Sequence, residues 1–172
     1  MRRTVATLLV VLGLAGVSPA VQAQSRSMLS FRTMFGVEGP FLGETNAIRG
    51  VVGDELPWEI AVAVGTLDTS GHLRIKVRGL VFKDDPLVPP KRRGKNDETE
   101  FRAIVSCLTV DGAGGVAPAN MTTAGFPANV QGDSDIDTIV LLPSPCVAPI
   151  VFVIAGSEDK WFSATGFETE AE

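Results

Sequence analysis

Tyrosine is absent and histidine occurs once, at His72. Each scarcity removes chemistry. One histidine and two cysteines cannot supply the usual zinc ligand sets, and copper or iron sites fail on the same shortage. No metal and no cofactor is therefore expected. A Ser-His-Asp triad would have to be built on His72, which stands at the end of a tight turn and reads as a solvent-exposed residue rather than a buried base. The lack of tyrosine also weakens any aromatic face for sugar or protein.

Long apolar runs are equally scarce. One extends from Val5 to Val17, preceded by Met1-Arg2-Arg3 and followed by Ser18-Pro19-Ala20-Val21-Gln22-Ala23. It is shorter than the roughly 20 residues a bilayer span needs. A basic start, an apolar centre and a small-residue end describe a secretory signal peptide over residues 1–23, with cleavage before Gln24. A general secretory route is read in preference to a twin-arginine one on Arg2-Arg3, and no cysteine follows the run to carry a lipid. The expected product is one domain over residues 24–172, secreted or periplasmic, with no transmembrane segment. Residues 168–172 form an acidic tail expected to fray.

Charge narrows the partners. Removing Arg2 and Arg3 from the 15 Lys and Arg leaves 13 against 20 Asp and Glu, a formal charge of −7. So acidic a domain is a poor ligand for nucleic acid or an anionic membrane. The two cysteines, Cys107 and Cys146, form an even count in an exported chain and predict one disulfide. Closing a loop of about 40 residues would stabilise the fold by roughly 4 kcal/mol in the chain-entropy model.

What is present alternates. From His72 to Phe82, Leu73, Ile75, Val77, Gly79 and Val81 fall on one face and Arg74, Lys76 and Arg78 on the other, the pattern of a half-buried strand. Trp58, Ile60, Val62 and Val64 alternate likewise, and Asp68-Thr69-Ser70-Gly71 between the runs suits a reversal. With Leu67 opposite His72, Val64 faces Ile75, Val62 faces Val77 and Trp58 covers Gly79, which places every large apolar residue on one side. Further strands are predicted over residues 29–35, 101–110, 136–142, 150–155 and 161–167. The run 150–154 is apolar on both faces and belongs in the sheet interior. Residues 156–160 read as a second hairpin turn. Residues 84–96 and 112–132 read as loops. Short strands without helical crossovers predict an all-β, antiparallel β-sandwich, Ig-like or barrel-like.

Several side-chain groups invite a functional reading. Asp133, Asp135 and Asp137 could converge on calcium in an adhesion domain, but the glycine and distal glutamate of an EF-hand loop are missing, and a solvated strand entrance is the favoured reading. Arg74, Lys76 and Arg78 offer a basic stripe to an anionic or cell-surface partner, or are simply a strand's wet side. Lys91-Arg92-Arg93 reads as a mobile, soluble loop before a docking or protease site. Asn120-Met121-Thr122 is an N-glycosylation sequon. Trp58 is expected buried, leaving Trp161 as the exposed tryptophan for a sugar platform. Twenty acidic residues always offer some carboxylate pair for a hydrolase, yet none stands out and no catalytic residue is assigned.

Residues 31–37 (FRTMFGV), Ile48-Arg49-Gly50, Leu56-Pro57-Trp58, Val77-Arg78-Gly79-Leu80-Val81, residues 101–107, residues 142–149 and Trp161-Phe162 resemble a set of small exported bacterial proteins of unknown function. The resemblance implies export and a bacterial source and brings no active site. The expectation is a non-catalytic binding or structural module outside the cytoplasm, ligand unknown, with a secreted hydrolase or a calcium-dependent adhesion domain as alternatives.

Overall fold

The computed structural model describes residues 25–166. The predicted signal peptide, its cut before Gln24, the acidic tail and Phe167 lie outside the described residues. The strands are β1 (Ser27–Phe31), β2 (Phe35–Gly36), β3 (Val52–Gly53), β4 (Trp58–Glu59), β5 (Val62–Asp68), β6 (His72–Arg78), β7 (Val81–Phe82), β8 (Glu100–Val110), β9 (Val116–Thr122), β10 (Phe126–Pro127), β11 (Ser134–Ile139), β12 (Val147–Ala155) and β13 (Lys160–Ala164). One sheet runs β1-β5-β6-β11, a larger one β10-β8-β12-β13-β2 with β9 also on β8 and β3 on β13, and β4-β7 is a separate ribbon. All pairings are antiparallel except β3 on β13. The all-β class follows the alternation that predicts it.

Facing in β6 is as read: Leu73, Ile75 and Val77 are buried between exposed Arg74 and Lys76. Facing in β5 is the reverse of the expectation. Leu67 pairs with Leu73, Gly65 with Ile75 and Ala63 with Val77. Ala63 and Leu67 are buried, whereas Val62 and Val64 are 42% and 45% exposed. The turn explains the slip. Gly71 donates to the Asp68 carbonyl and takes φ +83°, so His72 adds one residue before pairing begins. A left-handed glycine after a tight turn gives such a bulged hairpin, and one extra residue inverts a strand's faces. Packing accepts the inversion because Phe31 pairs with Gly65 and its ring fills the space over that glycine. Trp58 does enter the core, but from the ribbon, pairing with Phe82. Ala61 rather than Trp58 covers Gly79, where a Cβ would lie 2.8 Å from the Ala61 methyl.

Residues 151–155 of β12 are all buried, the interior position their sequence predicts. In the β8–β12 register Phe152 opposes Ile104, while Val153 opposes Ala103 and Val151 opposes Val105, so successive residues look to opposite faces. On one face Phe152 meets Trp161, over which Phe41 lies at 6.3 Å. On the other, Phe101 meets Phe162, which stacks on Trp58 at 3.8 Å. Both sheets and the ribbon contribute to a single apolar cluster.

One of the two expected loops differs from the reading. Residues 112–132 contain β9 and β10. Val116, Pro118, Asn120 and Thr122 are exposed and the residues between them half-buried, and a proline is tolerated because β9 is an edge strand. Residues 84–96 contain no strand but are tied down: Val88 is buried, Arg93 donates to its carbonyl, and the buried Asn96 donates to the Glu98 and Asn129 carbonyls. The disulfide joins Cys107 and Cys146 at a Cα separation of 4.9 Å, linking β8 to the entrance of β12 as predicted.

Adjacent substitutions test the facing of β6. Val77→Asp buries an unpaired carboxylate and should cost about 3 kcal/mol or more. Lys76→Asp places like charges opposite Asp135 at a surface site and should cost no more than about 1 kcal/mol in the same denaturant melt. The reverse order would invert the sheet.

Candidate functional site

The outer face of the smaller sheet brings two sequence features together. β11 lies against β6 with Asp135 opposite Lys76 and Asp137 opposite Arg74. Arg78 pairs with Asp135 at 2.8 Å, Arg74 with Asp137 at 3.5 Å, and the His72 ring with Asp137 at 2.6 Å. Asp133 accepts from the Gly79 amide at 3.1 Å. The basic stripe and the aspartate row are thus partners of one another, and the aspartates do not converge. Such exposed pairs contribute little stability each; opposite charges on adjacent strands favour one register. The hydrogen bond from His72, and then its charge and that of Arg74, hold the Asp137 carboxyl below the ordinary carboxylate range. His72 itself is half-buried at the start of β6 rather than fully open. No triad follows, because the nearby Ser70 hydroxyl donates to Asp68. That bond first, then the His72 and Ser70 amides, bring the Asp68 carboxyl down to about 2.

A second cluster escaped sequence reasoning. Carboxylate oxygens of Asp54, Glu55 and Glu158 lie within 4.8 Å of one another. They meet because β3 runs parallel to the start of β13, with Val52 opposite Lys160. The Lys160 ammonium reaches Glu55 at 2.6 Å and Glu158 at 2.8 Å, and Glu158, then Glu55, hold its proton well above the ordinary lysine range. Lys160 in turn holds the Glu55 carboxyl down. Asp54 is 8% exposed. Burial pushes its carboxyl up, against the opposing pull of the Leu56 amide and the Trp58 indole. The cluster carries its own cation. Sequence offers no local signal for it, since Glu55 and Lys160 are 105 residues apart.

Cavities lie elsewhere. A cleft of about 230 Å³ is lined by Met34, Trp58, Glu59 and Lys83, and another of about 480 Å³ by Phe41, Leu42, Pro57, Asp85 and Leu87; Phe35 and Glu38 line both. Glu38, common to both, pairs with Lys83 of the smaller cleft. Phe35 is carried by β2, where it pairs with Ala164, and the Gly36 beside it lies against the Trp58 carbonyl with no space for a side chain. A 3-10 turn over Gly39–Phe41, entered through Pro40, presents Phe41. The two rings meet edge to face at 5.9 Å and 76°. Lys83 is fixed by its amide on the Pro57 carbonyl, and Asp85 by accepting from the Leu87 amide. Glu38 raises the Lys83 ammonium above its ordinary value, with smaller contributions from Asp85 and Glu59.

Aromatic exposure is where the structure departs most from expectation. Trp161, expected exposed, is fully buried beneath Phe41, so it offers no sugar platform; Phe35, Phe41 and Phe126 are the half-buried aromatic residues instead. Nothing in the unpatterned stretches around them signals this. In the basic triplet, Arg92 stacks over Phe82 at 4.1 Å and pairs with Asp97, Arg93 pairs with Asp84, and Lys91 is the exposed member. Asn120 is exposed on β9, its amide donating to the Arg49 carbonyl at 3.0 Å. Compared with known protein families, curated proteins and solved structures, the chain matches none.

Asp54 makes a pH prediction. A carboxyl raised on folding adds stability below the unfolded value of 3.8, and this is lost as pH rises through the folded value. Asp54→Asn keeps an acceptor for the Leu56 amide and removes the buried charge. Its melting temperature relative to the parent should therefore be more favourable at pH 7 than at pH 3. An unchanged difference between the two pH values would refute the assignment.

Proposed function

We propose that the chain is an exported bacterial β-sandwich, secreted or periplasmic, that acts without catalysis as a binding or structural module, and that its ligand surface is the paired cleft around Phe35 and Phe41. One observation carries this reading: the charged side chains on which chemistry would be built are paired with one another, while the half-buried Phe41 lines a concave surface with Leu42, Pro57 and Leu87. Concave, mainly apolar sites with a few polar groups are where small ligands bind. The disulfide, and the absence among the described residues of any helix long and apolar enough to cross a membrane, are compatible with export. Intact-mass analysis of the chain from the medium or periplasm of a secreting host should give a product beginning at Gln24.

A hydrolase is the second reading, favoured by Asp54 and Glu55, neighbouring carboxyls whose titrations are displaced in opposite directions, as in acid–base pairs. None of the clefts described above is lined by either residue. The purified protein is expected to leave chromogenic esters and glycosides intact. Turnover abolished by Asp54→Asn, with the fold retained, would replace the binding module with an enzyme. Millimolar calcium is expected to leave the melting temperature unchanged; a rise lost in Asp135→Ala would instead favour the adhesion reading.

A further inference from the structure

The ligand chemistry of the paired cleft follows from the side chains that line its two halves. We propose that the cleft takes an organic cation, an ammonium or guanidinium group carried on an apolar or aromatic body; this rests on the cleft being the ligand surface. Three carboxylates line the two halves, Glu38, Glu59 and Asp85, against one ammonium, that of Lys83. With every group charged, the site keeps an excess of two negative charges. Low-dielectric walls focus such a field and raise the local concentration of cations.

The walls select the rest of the ligand. Phe41 lines the larger half beside Phe35, and a cation near a ring face is attracted by its quadrupole. Leu42 and Pro57 continue the apolar floor, and Leu87, 63% exposed at the lip, has apolar area to bury when a ligand arrives. A cleft of about 480 Å³ has room for a substituted benzene ring and larger bodies. An anion would meet the excess of carboxylates. Lys83 models the recognition in cis: its ammonium already sits on Glu38, with Asp85 and Glu59 adding to the attraction. An incoming cation would share the carboxylates that lysine leaves unsatisfied.

The test is an NMR titration of the isotope-labelled protein with benzylammonium, benzyl alcohol and benzoate in parallel. Benzylammonium is expected to bind in the millimolar range, about two- to fivefold more tightly than benzyl alcohol, with shifts at Phe35, Phe41, Lys83 and Leu87. Asp85→Asn, which can still accept from the Leu87 amide, should weaken benzylammonium several-fold and leave benzyl alcohol unchanged. Lys83→Gln, which frees Glu38, should strengthen it. Equal affinity for the charged and neutral probes at these residues would overturn the cation assignment while keeping the cleft. Shifts elsewhere, or none with any probe, would overturn the cleft as ligand surface and the proposal with it.

Discussion

Five consecutive residues of β12, 151–155, are closed to water on both faces, so something apolar has to lie on each. The smaller sheet and the ribbon serve one side. The other depends on an irregular segment that places Phe41 over Trp161 and lets the Arg49 guanidinium donate to the Ser106 carbonyl of β8 at 3.0 Å. Burial of apolar area is the main stabilising term available to the chain. An irregular cover cannot tile a sheet as another sheet would. The clefts beside Phe35 and Phe41 are the gaps left where that cover meets the loop after β7.

Charge serves a different end. Outward-facing ionisable groups of the smaller sheet pair across β6 and β11, and Lys160 draws Glu55 and Glu158 over the β3–β13 contact. Pairs this exposed add little to stability, but they discriminate between strand registers, because sliding either strand by one residue removes each charge from its partner. Around the clefts the balance is different, and one lysine faces three carboxylates.

Legibility in the sequence tracked the range of the information. β6 and β12 were readable because burial on one or two faces writes itself into neighbouring residues, as in the alternation of Leu73, Ile75 and Val77. The disulfide was readable from count and compartment. In β5 the valines outrank Ala63 and Gly65 in hydrophobicity and so point to the wrong face, yet the position opposite Phe31 requires the smallest residue. β9 carries no strand signature, since Ala117, Pro118 and Asn120 have little strand preference; pairing along β8 imposes the conformation. The burial of Trp161 has no local signature, because the segment that covers it lies more than a hundred residues earlier. The Asp54–Glu55–Glu158 cluster and the half-buried phenylalanines depend on the same long-range contacts, which no local pattern encodes.

The disulfide, finally, encloses β9, β10 and β11. It spans 39 residues of sequence, and within that loop β11 belongs to the smaller sheet while β9 and β10 lie on the larger. Pulled from its two ends, as when tethered between surfaces in a flow, the oxidised chain could unravel its outer strands but could not pay out this loop. Its contour would stay shorter by about 130 Å, taking roughly 3.4 Å for each residue withheld. The covalent link thus sets how far the chain can reach under tension, and reduction lengthens it in a single step.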